Sequence, residues 1–436
     1  MSTYLLRGVR PLGGAVTDVL LADGVIAAIG PDAATASAAP GDTAVTVLDL
    51  PGQVLLPGLV DLHTHLREPV REDAETVRSG SAAAALGGFT AVHAMANTDP
   101  VADTAGVVEQ VFRLGQEAGY VDVHPVGAVT VGLGGQQLAE LGAMADSAAR
   151  VRVFSDDGKC VDDALLMRRA LEYVKAFDGV IAQHAQEPRL TAGAQMNEGA
   201  VSAVLGLRGW PAAAEEAIIA RDILLADHVG SRLHVCHVST AGSVDLIRRA
   251  KERGIDVTAE ATPHHLLLTD ELARSYDPVY KVNPPLRTER DVMALREGVA
   301  DGTVDIVATD HAPHTSEDKD CEWDVAAFGM LGLPTALSVV VMTLVEPGLL
   351  DWVGVADRLS SAPAAIGRVP DQGRPLAVGE PANLTVLDPD AQWTVDPWQF
   401  PGPARNSPYR EMRLPGRVTT TFLRGTPTVL GGALQW

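Results

Sequence analysis

Asp61-Leu62-His63-Thr64-His65-Leu66-Arg67 closes an apolar run, Val54-Leu55-Leu56-Pro57-Gly58-Leu59-Val60, that reads as a buried strand. Side chains two apart on a strand share a face, so His63 and His65 can grip one metal ion. Arg67 continues the spacing and adds a fixed cation. Alone, the His-x-His pair decides nothing. Its meaning depends on matching ligands at other strand ends.

Such ends exist. After Val54–His63, runs of similar texture fall at Phe89–Ala96, Val121–Val129, Val151–Ser155, Val180–His184, Arg232–Val238, Asp256–Ala261 and Asp305–Thr309. Helical patterns separate them, among them 73–86, 105–118, 162–176, 211–228, 243–253 and 289–300. Eight strand–helix alternations predict an α/β fold, a closed (β/α)8 TIM barrel with parallel strands. An open doubly wound sheet is the rival. It is weakened because no Gly-x-Gly-x-x-Gly follows a first strand.

Outside the barrel the texture is strand-like. Val16–Ile29 holds the turn Ala22-Asp23-Gly24, a hairpin signal, and Pro31–Thr43 reads as a polar loop. Strand patterns return at Ala382–Asp388 and Val418–Gly425. The division predicted is 1–55 and 366–436 as two parts of a small, discontinuous, β-sandwich-like domain, with the barrel at 56–365.

The chain has 436 residues, 46% of them apolar, enough for a large core. A net charge of −22 disfavours nucleic acid as a partner. Cys160, Cys236 and Cys321 have no Cys-x-x-Cys spacing, and no signal peptide or membrane-length apolar run is seen. A cytoplasmic protein is expected.

In a barrel, reacting groups gather at the C-terminal strand ends. His63 and His65 end the first strand, Phe154-Ser155-Asp156-Asp157-Gly158 the fourth, and His184 the fifth. His237 ends the sixth, and Asp310-His311-Ala312-Pro313-His314 follow the eighth. This nitrogen and oxygen set suits zinc. Four histidines and two aspartates exceed one tetrahedral ion, so two ions are expected, and their chemistry is hydrolytic. Spacing alone leaves open whether Asp156, Asp157 or a carbamylated Lys159 faces the metals. Cys236 is expected to point into the helix layer. His234 and His311 read as structural, and His264 and His265 as neighbours of the site. The polar stretch 314–320 is expected to be a mobile cover over the mouth.

The chain resembles the metal-dependent amidohydrolases and, within them, the bacterial dihydroorotases with an aspartate bridge. The resemblance rests on Asp61–Pro69, Met95-Ala96-Asn97-Thr98, Phe154–Gly158, Lys281-Val282-Asn283-Pro284-Pro285-Leu286-Arg287 and Ala308–His314. It implies His63, His65 and Asp310 on one zinc, His184 and His237 on the other, and Asp157 as the bridge. That puts Asp157 where hydantoinase-like relatives carry a carboxylated lysine. It implies Asp310 as the catalytic proton carrier. It implies that His65, Arg67, Asn97, Asn283, His314, Phe328 and Gly329 hold N-carbamoyl-L-aspartate or dihydroorotate. The reaction implied is reversible ring closure in pyrimidine synthesis. A homodimer and a complex with aspartate carbamoyltransferase fit the same resemblance. The rivals are a hydantoinase or allantoinase, and a catalytically inactive scaffold for aspartate carbamoyltransferase. Two departures stand out. Val70 replaces a common Gly, for which a loop effect is expected, and Pro334 replaces a frequent acid.

Overall fold

The computed structural model of the chain describes residues 2–33 and 45–435. Most of the loop expected at Pro31–Thr43 lies outside the described residues. Eight short parallel strands form a barrel: β1 (Leu59–Thr64), β2 (Phe89–Ala94), β3 (Asp122–Pro125), β4 (Val153–Phe154), β5 (Val180–Gln183), β6 (Leu233–Val235), β7 (Val257–Ala261) and β8 (Ile306–Val307). Neighbours pair in sequence order, all parallel. The ring closes through single bridges, Gly127 to Phe154 between β3 and β4 and Thr64 to His311 beside β1. Asp61 reinforces that seam, because its carboxylate accepts the backbone N–H groups of His63 at 3.0 Å and Thr309 at 3.1 Å.

The outer helices follow the apolar periodicity of the sequence. Val77–Leu86 is capped by Thr76 and packs an alanine-rich face inward. Ala105–Ala118, Ala164–Val174, Ala213–Val229, Ala241–Glu252 and Glu289–Asp301 cover later strands. Their inward residues, such as Val108, Leu171, Ile219, Ile247 and Leu295, join the main aliphatic core. Among the described residues no helix is long and apolar enough to cross a membrane.

The expected first strand, Val54–His63, is two strands. Val54–Pro57 pairs with Thr3–Pro11 and with Leu384–Thr394 in the small β domain, and β1 starts only at Leu59. Gly58 is the pivot. A side chain there would run into Thr90, its Cβ 2.2 Å from the Thr90 hydroxyl oxygen. One unbroken apolar run thus serves two sheets. Strands from both ends of the chain build the small domain around Leu6, Val19, Leu21, Leu55, Leu384 and Phe422. Its hairpin, Thr17–Ala22 with Val25–Ile29, turns through Asp23-Gly24, both at positive φ (51° and 83°), the geometry that suits a tight two-residue turn.

Val70 sits at φ 86°, a left-handed conformation that a β-branched residue adopts only under strain. Its side chain is 58% exposed, so no burial offsets that strain. The Gly expected there from the resemblance would relieve it. Val70→Gly should therefore raise stability by about 1 kcal/mol, since removed strain of ~1–3 kcal/mol is partly offset by glycine's entropy. Thermal unfolding of the two proteins checks this, and a lower midpoint in the variant would refute it.

Candidate metal centre

The C-terminal strand ends converge as the barrel rule requires. His63 and His65 are on or just after β1. Asp157 follows β4, and His184 follows β5 directly. His237 follows β6 and Asp310 follows β8. All six are buried. His63 Nε2 lies 3.4 Å from Asp157 Oδ1 and 3.4 Å from Asp310 Oδ1. His65 Nε2 lies 3.1 Å from Asp310 Oδ1 and 3.3 Å from Asp157 Oδ2. Across the site, Asp157 Oδ1 is 3.2 Å from His184 Nδ1 and 3.1 Å from His237 Nε2, and those two nitrogens are 2.9 Å apart.

These contacts form two triads, His63-His65-Asp157 and Asp157-His184-His237, with Asp157 common to both. Ligand atoms about 2.0–2.2 Å from a tetrahedral ion stand roughly 3.2–3.6 Å from one another, close to the spacing here. Among the described residues His63 Nε2 is buried without a hydrogen-bond partner. A buried orphan nitrogen facing two carboxylates fits a cation between them. Burial lowers the pKa of His63, but Asp157, Glu260 and Asp310 outweigh it and hold the imidazole well above its ordinary value. Burial raises Asp310, yet His63 and His65 pull it down to about 2. The cluster thus gathers positive charge between its carboxylates, as protons or as metal.

The structure separates the alternatives at strand four. Asp156 accepts from the backbone of Val129 at 2.8 Å and Thr130 at 2.9 Å, and from the Thr130 hydroxyl. It is a loop pin. Lys159 is exposed. Asp157 alone of the three faces the histidines. Cys236 departs from the expectation. It points into the barrel, packed with Val180, Ala182 and Ala308 and close to His63 and Glu260, rather than into the helix layer. His237 reaches the mouth because its backbone turns to φ 30° just after Cys236, which breaks strand alternation.

Glu260, on β7, was not expected from the sequence. Its carboxylate meets His63 Nδ1 at 2.5 Å and His234 Nε2 at 3.0 Å, and accepts the His237 backbone N–H at 3.1 Å. His63 and His234 keep Glu260 ionised against its burial. It fixes the His63 tautomer so that Nε2 faces the centre. The available signal was one acid in an otherwise compact strand, Val257-Thr258-Ala259-Glu260-Ala261. His311 is structural as expected, 3.3 Å from Glu75 and accepting Gly332 N–H at 3.1 Å. Arg287, from the Pro-Pro-Leu-Arg run, is also structural. Fully buried, it donates to Asn197, Trp210 and Ser239.

The remaining residues ring the mouth. Arg67 donates through Nε to the Pro313 carbonyl at 3.0 Å. Its NH2 is 3.4 Å from His314 Nε2, but that nitrogen gives its hydrogen to the Phe328 carbonyl at 2.8 Å. The Arg67 approach is therefore a contact between donors, and its terminal nitrogens stay available. Burial, then Arg67 and Lys319, lower His314 to about 3, so its ring is neutral and Nδ1 is a bare acceptor. Asn97 Oδ1 is 2.9 Å from His65 Nδ1. With that oxygen engaged, Asn97 offers a ligand its amide hydrogens. Asn283 Nδ2 donates to Gln186 at 3.1 Å, while its Oδ1 is buried without a partner among the described residues. Gly329 has φ 142°, and a Cβ there would lie 2.7 Å from His314. Its N–H donates to Lys281 O at 3.0 Å. Pro334 is half-buried, and nothing in the structure assigns it a role.

A family model described as Dihydro-orotase-like matches residues 52–243. The chain is 68% identical over 434 residues to a dihydroorotase of Streptomyces coelicolor, spanning 100% of both chains. It is 59% identical over 434 residues to a dihydroorotase of Mycobacterium tuberculosis, spanning 99% of this chain and 100% of that one. Among solved structures, L-hydantoinase (dihydropyrimidinase) from Arthrobacter aurescens is similar at a TM-score of 0.87 and 26% identity, covering 100% of this chain and 98% of its own. Dihydropyrimidinase from Brevibacillus agri, at 0.82 and 22% identity over 99% and 96%, shares the fold.

Glu260 generates a test of the centre. Glu260→Gln keeps the shape but loses the charge that orients His63. Metal affinity should drop by roughly 10–100-fold, the usual cost of losing an outer partner of a metal-binding histidine. Titration of metal-stripped protein with zinc, read by a competing chelator dye, measures it. An unchanged affinity would remove Glu260 from the centre.

Proposed function

The chain belongs to the dihydroorotases, a family of cyclic-amide hydrolases, and on that premise we propose that it interconverts (S)-dihydroorotate and N-carbamoyl-L-aspartate using two zinc ions. His63, His65 and Asp310 would hold one ion and His184 and His237 the other, with Asp157 between them. The two triads sharing Asp157 support this assignment. Bound there, zinc supplies a water acidified to near neutrality and a polarised ring carbonyl. Three unpaired cysteines agree with a reducing, cytoplasmic setting.

The observation that carries the substrate reading is Arg67. It is a half-buried guanidinium at the mouth whose described hydrogen-bond partners are neutral and which, among the described residues, keeps its terminal nitrogens available. Such a fork matches a carboxylate in bidentate fashion. Dihydroorotate carries that carboxylate, whereas a hydantoin ring carries none. The bare acceptors Asn283 Oδ1 and His314 Nδ1 suit ring N–H groups, and the Asn97 amide suits a ring carbonyl or the carboxylate. In the Phe328–Gly329 segment the Phe328 carbonyl is shared with His314, which leaves its second lone pair and the Phe328 N–H for the ring.

Asp310 is the proton carrier in this reading. As a carboxylate it would accept a proton from the attacking water and deliver it to the leaving ring nitrogen. In ring closure it starts protonated and the path reverses. It is buried beside His65, whose Nε2 lies 3.1 Å from its Oδ1.

Turnover of dihydroorotate, hydantoin and allantoin, together with metal analysis of the same preparation, tests the reading. We expect close to two zinc per chain and dihydroorotate as the strongly preferred substrate. Faster turnover of hydantoin would transfer the protein to the rival activity, and absence of all turnover in zinc-replete protein would support a scaffold. Arg67→Ala should keep its zinc and lose about 2–5 kcal/mol in kcat/KM, the range for removing one partner of a buried charge pair. Arg67→Lys should recover little of it, because a lysine lacks the fork. Native kinetics in the alanine variant would remove Arg67 from the substrate.

A further inference from the structure

The stretch expected to be a mobile cover contains a helical turn, Ser316–Lys319, capped by Thr315. Lys319 leaves that turn and is buried. Its ammonium donates to three carbonyls, Ala327 at 2.9 Å and Lys281 and Gly329 at 3.1 Å each. Three hydrogens meet three acceptors, and no carboxylate is among them. A second lysine repeats the pattern. Lys281 donates to the carbonyls of Trp323 at 2.6 Å and Asp324 at 3.2 Å, and its ammonium stands 4.5 Å from the centre of the Phe328 ring.

These carbonyls belong to the segments that shape the mouth. Lys281 is two residues before Asn283. Ala327 precedes Phe328, whose carbonyl holds His314. Gly329 O also accepts from Asn406 at 3.2 Å, and Asn406 in turn accepts the His314 backbone N–H at 3.2 Å. Three carbonyl oxygens converging on one point repel each other unless a cation sits between them.

We propose that Lys319 is a positioning residue for the substrate, a clasp whose ammonium fastens the loop after β8 to the backbone beside Asn283 and through Phe328–Gly329. The proposal rests on the substrate reading given above. The clasp acts on binding rather than on bond breaking, because it touches none of the six residues of the metal centre. Burial, then the charge of Lys281, bring the Lys319 ammonium down to about 7, against Asp277 and Cys321. The three carbonyls therefore hold a proton that burial disfavours. The Lys319 charge also reaches His314, adding to the larger effects of burial and Arg67 that lower that imidazole.

Two variants of the full-length, zinc-loaded enzyme test this. Lys319→Met keeps the unbranched stem as far as Cε and removes every donor, and Lys319→Gln, with a shorter reach, keeps two amide hydrogens. KM for dihydroorotate should rise about tenfold or more in the methionine variant, the effect of roughly one lost hydrogen-bonding group, and less in the glutamine variant. The kcat should stay within about threefold and zinc content should be unchanged, the pattern of lost binding rather than lost chemistry. Hydrogen exchange should speed up at 281–283 and 327–331 in the variants. A KM within twofold of wild type, or a fall in kcat at constant KM, would overturn the clasp. Failure of both variants to fold would overturn it too, because the lysine would then serve the whole fold. If the wild-type enzyme does not turn over dihydroorotate, the substrate reading fails, and the exchange measurement still decides whether Lys319 orders this backbone.

Discussion

Two carboxylates and four imidazoles share a space from which water is largely excluded, and that crowding governs the rest of the molecule. Burying an ionised group without a partner is costly, and burying six in contact is stable only when their charges balance. Asp157 is central to that balance, because its two oxygens reach four histidines from three strand ends. A parallel barrel suits the task, since it delivers one strand end after another to the same mouth without a loop crossing the core. The price is rigidity of register. Asp61 pins β1 to the β8 end through backbone N–H groups, and Glu260 pins His63 from β7.

Backbone strain collects around the same centre. Arg67, His237 and Asp310 all have positive φ, at 62°, 30° and 47°. Each stands where a strand stops and a side chain must turn into the mouth. Non-glycine residues hold such conformations when their surroundings over-determine them. Here the surroundings are visible: the Glu260 carboxylate on the His237 N–H, and the Pro313 carbonyl on Arg67 Nε. Val70, at 86° on the exposed rim, is held by an exposed hydrogen bond from its N–H to Glu72 and places no functional group, which separates strain that serves the centre from strain that does not.

The eight strand positions were legible as short apolar runs between helical patterns, and His63, His65, His184, His237 and Asp310 because they stand at the ends of four of those runs. What sequence could not show was where an apolar run changes partner. Val54–Val60 is continuous in hydrophobicity, yet Gly58 divides it between two sheets. Strand alternation also misled at Cys236. The rule assumes that the strand continues, and here the chain turns at His237, so neighbours in sequence both face inward. Asp156 and Asp157 were inseparable by spacing, and what separates them is a set of hydrogen bonds from Val129 and Thr130, a loop nearly thirty residues away. Glu260 and Asn406 were missed for a related reason. Each acts through another residue, and a supporting role leaves no motif of its own.

The fold itself does not choose the substrate. L-Hydantoinase from Arthrobacter aurescens is similar over the whole chain at a TM-score of 0.87, so the barrel and the β domain are common ground. Discrimination among cyclic amides must therefore lie in the segments after the strands, where Arg67, Asn97, Asn283 and His314 stand. These segments are irregular, and irregular backbone holds a geometry only when its carbonyls and N–H groups are satisfied from outside. In this chain much of that satisfaction comes from buried side chains that never face the mouth: Lys281, Lys319, Asn406 and Arg287. A residue that binds substrate can be exchanged alone only if the group holding its backbone is left in place. That coupling ties residues together within whole runs, such as Lys281–Arg287 and Asp310–Lys319. In both runs the group at the mouth is followed or preceded by a buried cation that holds a neighbouring segment: Lys281 the carbonyls of Trp323 and Asp324, and Lys319 those of Lys281, Ala327 and Gly329.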